Sequence, residues 1–479
     1  MPEHNIVILI ADTLRYHDFP VSSHFNDHIL GTRATQAFTS APWTLPSHAS
    51  IFTGTTPSKH GAHAGHKHLD NNLITLPEIL QTHDYETVAV SNNTWISEEF
   101  GFGRGFDTFY KNWQYVQTTT DLGKIAQMEN GLDMFKKATK AVLDGNPIAN
   151  ILNAVYGQFF RRANDDGAAR TNKWIKDWLT SRDDSRPFFL FVNYLEPHLE
   201  YRPPEAHAKQ YLPEGITYED AMETPQDAWG YIAGTVEMTD ENFEILRALY
   251  QAEISYLEEK IEATINLLKA EGEWDDTLFI VTSDHGENIG EHGLMDHQYA
   301  LYDTLLHVPL YVHGGPFEDN VRKDLVQLID IAPTILDTIN IDAPEAHDQF
   351  QGISFHPDTN QSREYVTAEY IAPQPSMDAL ETKIGDLPEH IYEYDRALRA
   401  IRTHQYKYIR GSDGTHELYD IRDDPDEQTN LVDTKPDVVE KLDTTLDEWL
   451  NSFEKTERSE DVLMDDDTRS RLEDLGYLQ

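Results

Sequence analysis

The stretch NIVILIAD, Asn5 to Asp12, is an apolar run closed by a carboxylate, and TLFIVTSDH, Thr277 to His285, ends the same way with a carboxylate and an imidazole. Apolar runs of this length, without alternation, predict strands buried on both faces, as in a parallel sheet. In an open α/β sheet ligands bind beyond the carboxyl ends of the strands, so Asp12, Asp284 and His285 are predicted to meet at one sheet edge. Two carboxylates and an imidazole can hold one divalent cation, and a hydroxyl reaching that cation loses its proton more easily. Thr44, in WTLPSHASIFTG (Trp43 to Gly54), is the candidate hydroxyl.

Outward from these segments the chain alternates. Pro46 and Ser47 signal a helix start, which puts Thr44 at a helix N-terminus, where free N–H groups favour anions. Glu86 to Ser91 predicts a strand followed by the polar loop Asn92, Asn93, Thr94. A helix from about Asp166 to Thr180 leads to the strand Phe188 to Tyr194, which ends in Glu196, Pro197 and His198. A helix from about Glu241 to Ala270 feeds the strand that ends at Asp284, and Asp330 to Ile339 predicts another helix. Helices are also expected from Thr118 to Asn164, as an insertion, a lid or plain packing. The alternation implies a doubly wound, mostly parallel sheet.

Between Ala343 and Glu364 the composition shifts to Pro, Asp, His and Gly. Beyond it, RALRAIRTHQYKYIR (Arg396 to Arg410) and THELYDIRDDPDE (Thr415 to Glu427) read as short antiparallel strands, and Val438 to Phe453 as an amphipathic helix. We therefore expect a catalytic α/β domain over residues 1–345 and a smaller α+β subdomain over 365–479.

Acidity dominates the composition: 84 Asp and Glu against 38 Lys and Arg give a net charge of −46. The acids are spread throughout, which suits a solvating surface of the halophilic kind, because at molar salt the screening length falls to roughly 3 Å. Such a surface excludes nucleic acid as a partner, since phosphate backbones need a basic face. Cysteine is absent, so disulfides, thiolate metal sites and a cysteine nucleophile are excluded. No apolar run approaches the roughly 18 residues of a membrane span, and the start MPEHN lacks the basic lead of a signal peptide. A cytoplasmic protein with no membrane insertion is expected.

The motifs resemble the sulfatase family of the alkaline phosphatase superfamily. Thr44, Pro46, Ser47, His48, Thr53 and Gly54 occupy the fixed positions of the signature CxPSRxxxxTG. Further likeness lies in ADTLR (Ala11 to Arg15), GFGRGFD (Gly101 to Asp107), EPHLEY (Glu196 to Tyr201), SDHGENIGEHGLMDH (Ser283 to His297) and DIAPTILD (Asp330 to Asp337). The resemblance implies an alkaline phosphatase-like fold and a hydrolase of small anionic esters.

Two departures redirect that expectation. Sulfatases oxidise the first signature residue, Cys or Ser, to formylglycine, whereas threonine would give a ketone; and His48 stands where the family has an arginine that helps hold formylglycine. Threonine is the nucleophile in phosphodiesterase and phosphoglycerol-transferase branches, and similarity to these makes Asp12, Thr44, Asp284 and His285 the ligands of one divalent metal, which on donor type suits Mn²⁺, Mg²⁺, Ca²⁺ or Zn²⁺. Thr13 replaces a second acidic ligand of many sulfatases, which counts against Ca²⁺, and no second His and Asp set is evident for a two-zinc site. By the same resemblance His198 contacts the anion or leaving oxygen, and His297 replaces a lysine near the anion and is a candidate acid. Asn93 and His48 are candidate substrate ligands. His60 and His292 are read as structural, and the HAGHKH histidines (His63 to His68) as exposed loop residues without a metal.

The function expected is a metal-dependent hydrolase or transferase of phosphate esters, diesters first, through Thr44. A sulfatase acting without formylglycine and a degenerate anion-binding protein are the alternatives.

Overall fold

Apolar residues without alternation can be satisfied only where both faces of a strand are covered. Three such strands form the centre of the sheet: β1 (Asn5–Ala11), and, flanking it, strands Phe188–Tyr194 and Thr277–Ser283, buried along their whole length. The computed structural model describes residues 4–20, 31–113, 165–183 and 185–456. The helices expected over Thr118 to Asn164 lie outside those residues.

In chain order the main sheet comprises β1, β2 (Thr32–Ala34), β3 (Glu86–Ser91), β4 (Thr108–Lys111), β5 (Phe188–Tyr194), β6 (Thr277–Ser283), β7 (Leu310–His313) and β8 (Asn320–Arg322), arranged β8-β2-β7-β6-β1-β5-β3-β4. β7 pairs antiparallel with both β6 and β2, and every other pairing is parallel. The architecture is thus a mixed α/β sheet, mostly parallel as expected, extended by the short strands β2, β7 and β8, which sequence reading does not find.

Register places the site. Ala11 pairs with Ser283 on one side and with Tyr194 on the other, and Ser91 pairs with Asn193. Asp12, Asp284, Leu195 and Asn92 therefore leave the sheet at the same level. Helix α1 (Thr44–Thr53) lies buried on all its residues and begins at Thr44, after Trp43 as N-cap. It ends at Gly54, whose φ of 64° and close approach to Phe350, 2.4 Å from where a Cβ would lie, require glycine.

Helix α2 (Ala168–Ser181) and the long α3 (Asp240–Glu271) match the expected spans to within a few residues. α3 starts with a reciprocal cap between Thr239 and Asn242 and stops at Gly272. From its buried face, the Tyr250 hydroxyl donates to Thr13 O at 2.7 Å and accepts from Arg15 N at 3.0 Å, fixing the turn after β1. Thr13 there has φ 60°, an unfavourable value for a β-branched residue, held by these contacts. Helix α4 (Ile331–Ile339) covers the sheet next to α1.

The C-terminal part contains β9 (Val366–Tyr370), β10 (Leu398–Arg402), β11 (Tyr406–Gly411) and β12 (His416–Asp420), paired antiparallel in that order. Ala368, Tyr370, Leu398 and Ile409 join the main core, while Ile401, Tyr408 and Leu418 pack under helix α5 (Pro436–Leu450) through Leu442, Leu446 and Leu450. A buried ion cluster, Lys407 Nζ to Asp303 Oδ1 (2.9 Å) and to Glu427 Oε1 (2.8 Å), with Arg402 Nε to Asp303 Oδ2 (3.0 Å), clamps this sheet to the larger layer. Among the described residues no helix is long and apolar enough to cross a membrane.

The histidine loop departs from expectation. His66 is buried rather than exposed, and Asp70, four residues on, closes against His66 and His68 at 3.2 and 3.1 Å. A register of i, i+2 and i+4 in a tight loop supplies the carboxylate that linear spacing hides.

Ser283 is the stitch between the two ligand-bearing strands: its Oγ lies 2.7 Å from Ala11 O and 2.6 Å from His285 O, and accepts from Leu14 N at 2.8 Å. Ser283→Ala leaves the Leu14 N–H buried and unsatisfied, so it is expected to cost about 1–3 kcal/mol in denaturant unfolding. A change below a few tenths of a kcal/mol would contradict this role.

Candidate active site

Asp12, Asp284 and His285 meet as predicted. All three are fully buried, and one ligand-grade atom from each lies within 4.8 Å of the others. His285 Nε2 stands 3.7 Å from Asp12 Oδ1, 3.4 Å from Asp284 Oδ2 and 3.3 Å from Thr44 Oγ1. His285 Nδ1 donates to Gly286 O at 2.9 Å, which leaves the Nε2 lone pair facing the carboxylates. Thr13 N and His285 N donate to Asp284 Oδ1 at 3.3 and 2.9 Å. Thr44 thus joins the triad from the first turn of α1, and Ser47 Oγ ties that turn to Asp284 O at 2.7 Å.

A divalent ion fits this set on the structure's own terms. Asp12 Oδ1 and Asp284 Oδ2 are buried and accept no hydrogen bond. Burial pushes the pKa of Asp12 up, and burial together with the Asp12 charge pushes Asp284 well up. Two adjacent buried carboxylates are costly unless a cation shares them. Oxygen donors plus one imidazole are compatible with Mg²⁺, Mn²⁺ or Zn²⁺.

The remaining candidates fall around the triad. Asn93 Nδ2 donates to Asp12 Oδ2 at 2.6 Å and lies 3.4 Å from Thr44 Oγ1, while its Oδ1 accepts from Trp95 N at 3.0 Å. It orients both groups. His48 sits behind Thr44: Nδ1 donates to Thr44 O at 2.9 Å and lies 3.5 Å from Asp284 Oδ2. Burial lowers its pKa to about 4, so it is a neutral imidazole, not a cation like the arginine it replaces. His198 and His297 close the other side, the His297 ring centroid 4.5 Å from that of His285 and 5.3 Å from that of His198.

Sequence reading missed what makes His297 basic. Burial alone would push its pKa down, but Asp296, hydrogen-bonded to its Nδ1, and Glu287, 3.5 Å from the same nitrogen, hold it well above the ordinary value. Glu287, Asp296 and His297 also form a second group of ligand-grade atoms within 4.8 Å, which no linear spacing reveals. A signal was present in the GENIGEHGLMDH acids, but only the fold brings Glu287 back to His297. The structural readings of His60 and His292 suit the contacts: His60 Nε2 meets Ser50 Oγ at 3.1 Å, and His292 stacks on Tyr302 at 3.6 Å.

A family profile described as Sulfatase matches residues 4–341. Arylsulfatase K of Bos taurus is 24% identical over 455 residues, covering 88% of this chain and 75% of its own length. The choline-sulfatase of Rhizobium meliloti is 24% identical over 470 residues, covering 92% and 85%. Among solved structures, the phosphonate monoester hydrolase of Agrobacterium radiobacter superposes with a TM-score of 0.68 at 18% identity, covering 94% of this chain and 95% of that one.

Behind His198, Glu196 Oε1 accepts from Asp166 N (3.1 Å) and Ala168 N (3.0 Å) at the start of α2. Burial, then the nearby Asp166 and Asp165, raises its pKa from 4.5 to about 8. The folded state therefore keeps a proton that the unfolded chain releases, and this contribution to stability is full below pH 4.5 and is lost as pH rises toward about 8. Glu196→Gln keeps the acceptor without the titration. Between pH 5 and 8 the variant should lose less stability than the parent, by on the order of 1 kcal/mol or more in denaturant unfolding; parallel pH profiles would refute this.

Proposed function

We propose that this chain, which belongs to the sulfatase family, is a metal-dependent hydrolase or transferase of phosphate esters, diesters first, with Thr44 as nucleophile. The observation that carries the reading is the Thr44 hydroxyl itself, at the signature's nucleophile position and 3.3 Å from His285 Nε2 inside the Asp12–Asp284–His285 cluster. A threonine cannot become a formylglycine aldehyde.

Asp12, Thr44, Asp284 and His285 would hold the ion, and when bound it supplies charge that acidifies the Thr44 hydroxyl and offsets the anionic ester. Asn93, through the amide that now touches Asp12 and Thr44, keeps the oxygen aligned and offers a donor to a substrate oxygen. His48 holds the Thr44 carbonyl and with it the first turn of α1. The acidified Thr44 hydroxyl releases its proton to solvent, Oγ1 forms the bond to phosphorus as the bond to the ester oxygen breaks, and that oxygen takes its proton from His297, whose protonated state Asp296 and Glu287 sustain. His198, next to His297, faces the same anion. Water or a second alcohol then cleaves the phosphothreonine bond and restores the hydroxyl.

A second reading is favoured by the curated relatives, which are sulfatases: sulfate ester hydrolysis through Thr44 without formylglycine. The acidic composition supports a halophilic setting for either chemistry.

Turnover of an aryl phosphodiester, a phosphate monoester and an aryl sulfate by the purified, metal-loaded chain separates the two. Diester turnover is expected to dominate, and dominant sulfate turnover would overturn the preference. Thr44→Ala should lower kcat by roughly 10⁴-fold or more, the scale of losing a nucleophile, with Thr44→Ser retaining activity. Equal activity in Thr44→Ala would refute nucleophilic catalysis.

The charge supplies an independent prediction. Below about 1 M salt, where screening of a net −46 weakens, the melting temperature should fall steadily with dilution. A salt-independent melting temperature would exclude the halophilic reading.

A further inference from the structure

The loop from His63 to Asp70 plays no part in the chemistry above, yet its backbone is held from several sides. His63 and His66 form a bridge, N–H to O at 3.0 and 2.8 Å in the two directions. His68 N donates to His66 O at 2.9 Å and Leu69 N to Phe100 O at 2.9 Å. Arg104 Nη2 donates to Asp70 O at 3.0 Å and its Nη1 to Leu73 O at 3.2 Å. Gly101, at φ 85°, comes so close that a Cβ would lie 2.2 Å from Leu69 O and 3.0 Å from His68 Cε1. The side chains of this loop are therefore set before any ligand arrives.

Within that frame His66 Nε2 lies 3.2 Å and His68 Nδ1 3.1 Å from one oxygen, Asp70 Oδ1, and one ligand atom from each of the three residues lies within 4.8 Å of the others. Ligands about 2.0–2.2 Å from a tetrahedral ion are separated by roughly 3.3–3.5 Å, so both measured separations are within a few tenths of an ångström of an occupied site. Two imidazoles and a carboxylate favour Zn²⁺, Cu²⁺ or Ni²⁺ over Mg²⁺ or Ca²⁺. The side chains of His66 and Asp70 are 9% and 15% exposed, and that of His68 33%, which gives an ion an entry path and room for a water as fourth ligand.

We propose that His66, His68 and Asp70 form a second site for a divalent first-row transition ion, Zn²⁺ as the type, separate from the Asp12–Thr44–Asp284–His285 site and structural in role. The ion would close the loop on itself, and Lys67, between two of its ligands, carries the loop's contact with the rest of the site: Lys67 Nζ lies 5.4 Å over the Trp95 ring, and Trp95 meets Trp43, the residue before Thr44, edge-on at 5.7 Å. The ordinary role for such a trio is two imidazoles paired with one carboxylate to hold the loop, and that role predicts no zinc.

The test titrates Zn²⁺ calorimetrically into the chelator-treated full chain at pH 8 in molar salt. Asp284→Asn weakens the catalytic set, and in that background the loop's share of the remaining zinc binding is the part that loop variants remove, any ion at Glu287, Asp296 and His297 being left in place. Adding His68→Gln or, separately, Asp70→Asn should weaken it by at least about tenfold, the scale at which even outer-shell partners act. The melting-temperature gain on adding zinc should shrink in the same variants. Should Asp284→Asn not fold, wild type should bind one zinc more than His68→Gln. Indistinguishable titrations with and without His68→Gln, in either background, would overturn the proposal.

Discussion

The arrangement depends on one constraint, the pairing of Ala11 with Ser283 across adjacent parallel strands. It forces two carboxylates, Asp12 and Asp284, to leave the sheet side by side with no exposure to water. Like charges in a low-dielectric pocket repel, and both groups are driven toward protonation by burial. The fold answers with directed donors: Thr13 N and His285 N on one oxygen of Asp284, and the Asn93 amide on one oxygen of Asp12. The other oxygen of each accepts no hydrogen bond and could take a cation. The turn at Thr13, with Tyr250 bracing it, belongs to the same arrangement, since in that backbone conformation the Thr13 N–H reaches Asp284.

What was legible in the sequence was what a strand or helix announces locally. Uniform apolar runs ending in acids located β1 and β6, and their ends located Asp12, Asp284 and His285 without any contact information. α3 was readable because its apolar spacing persists for many turns and both ends carry caps. β7 was not, because Leu310–His313 is short and becomes a strand only through its neighbours β6 and β2. Its reversed direction is a property of pairing, which no local pattern encodes. The same limit explains Glu287 and Asp296. Ten residues separate Glu287 from His297, and only the β-bridge turn between Asn288 and Asp296 folds one onto the other. Asp70 was overlooked because a loop has no period by which spacing can be judged.

Replacing a lysine-like cation by His297 changes how the site's charge is maintained. A lysine carries its charge unaided, whereas a buried imidazole would lose it. Here the charge depends on Asp296 and Glu287, themselves buried and coupled to the ring, with burial raising Glu287 to about 7. The result is a proton held between three groups rather than on one. Such a group can give up a proton to a leaving oxygen, which a lysine near pH 7 does poorly. On the proposed reading the exchange would trade a fixed charge for an acid beside Thr44, and the two residues together would supply a displacement with a simple hydroxyl and an acid.

The surface charge bears on the interior as well. A net −46 makes every buried carboxylate harder to ionise, because each acid adds to a negative field that salt only partly screens. The same field attracts cations toward the protein. One divalent ion would change the net −46 by only two charges, so its effect is local: it would compensate the paired acids at the carboxyl ends of β1 and β6, while the surface acids are left to screening by salt.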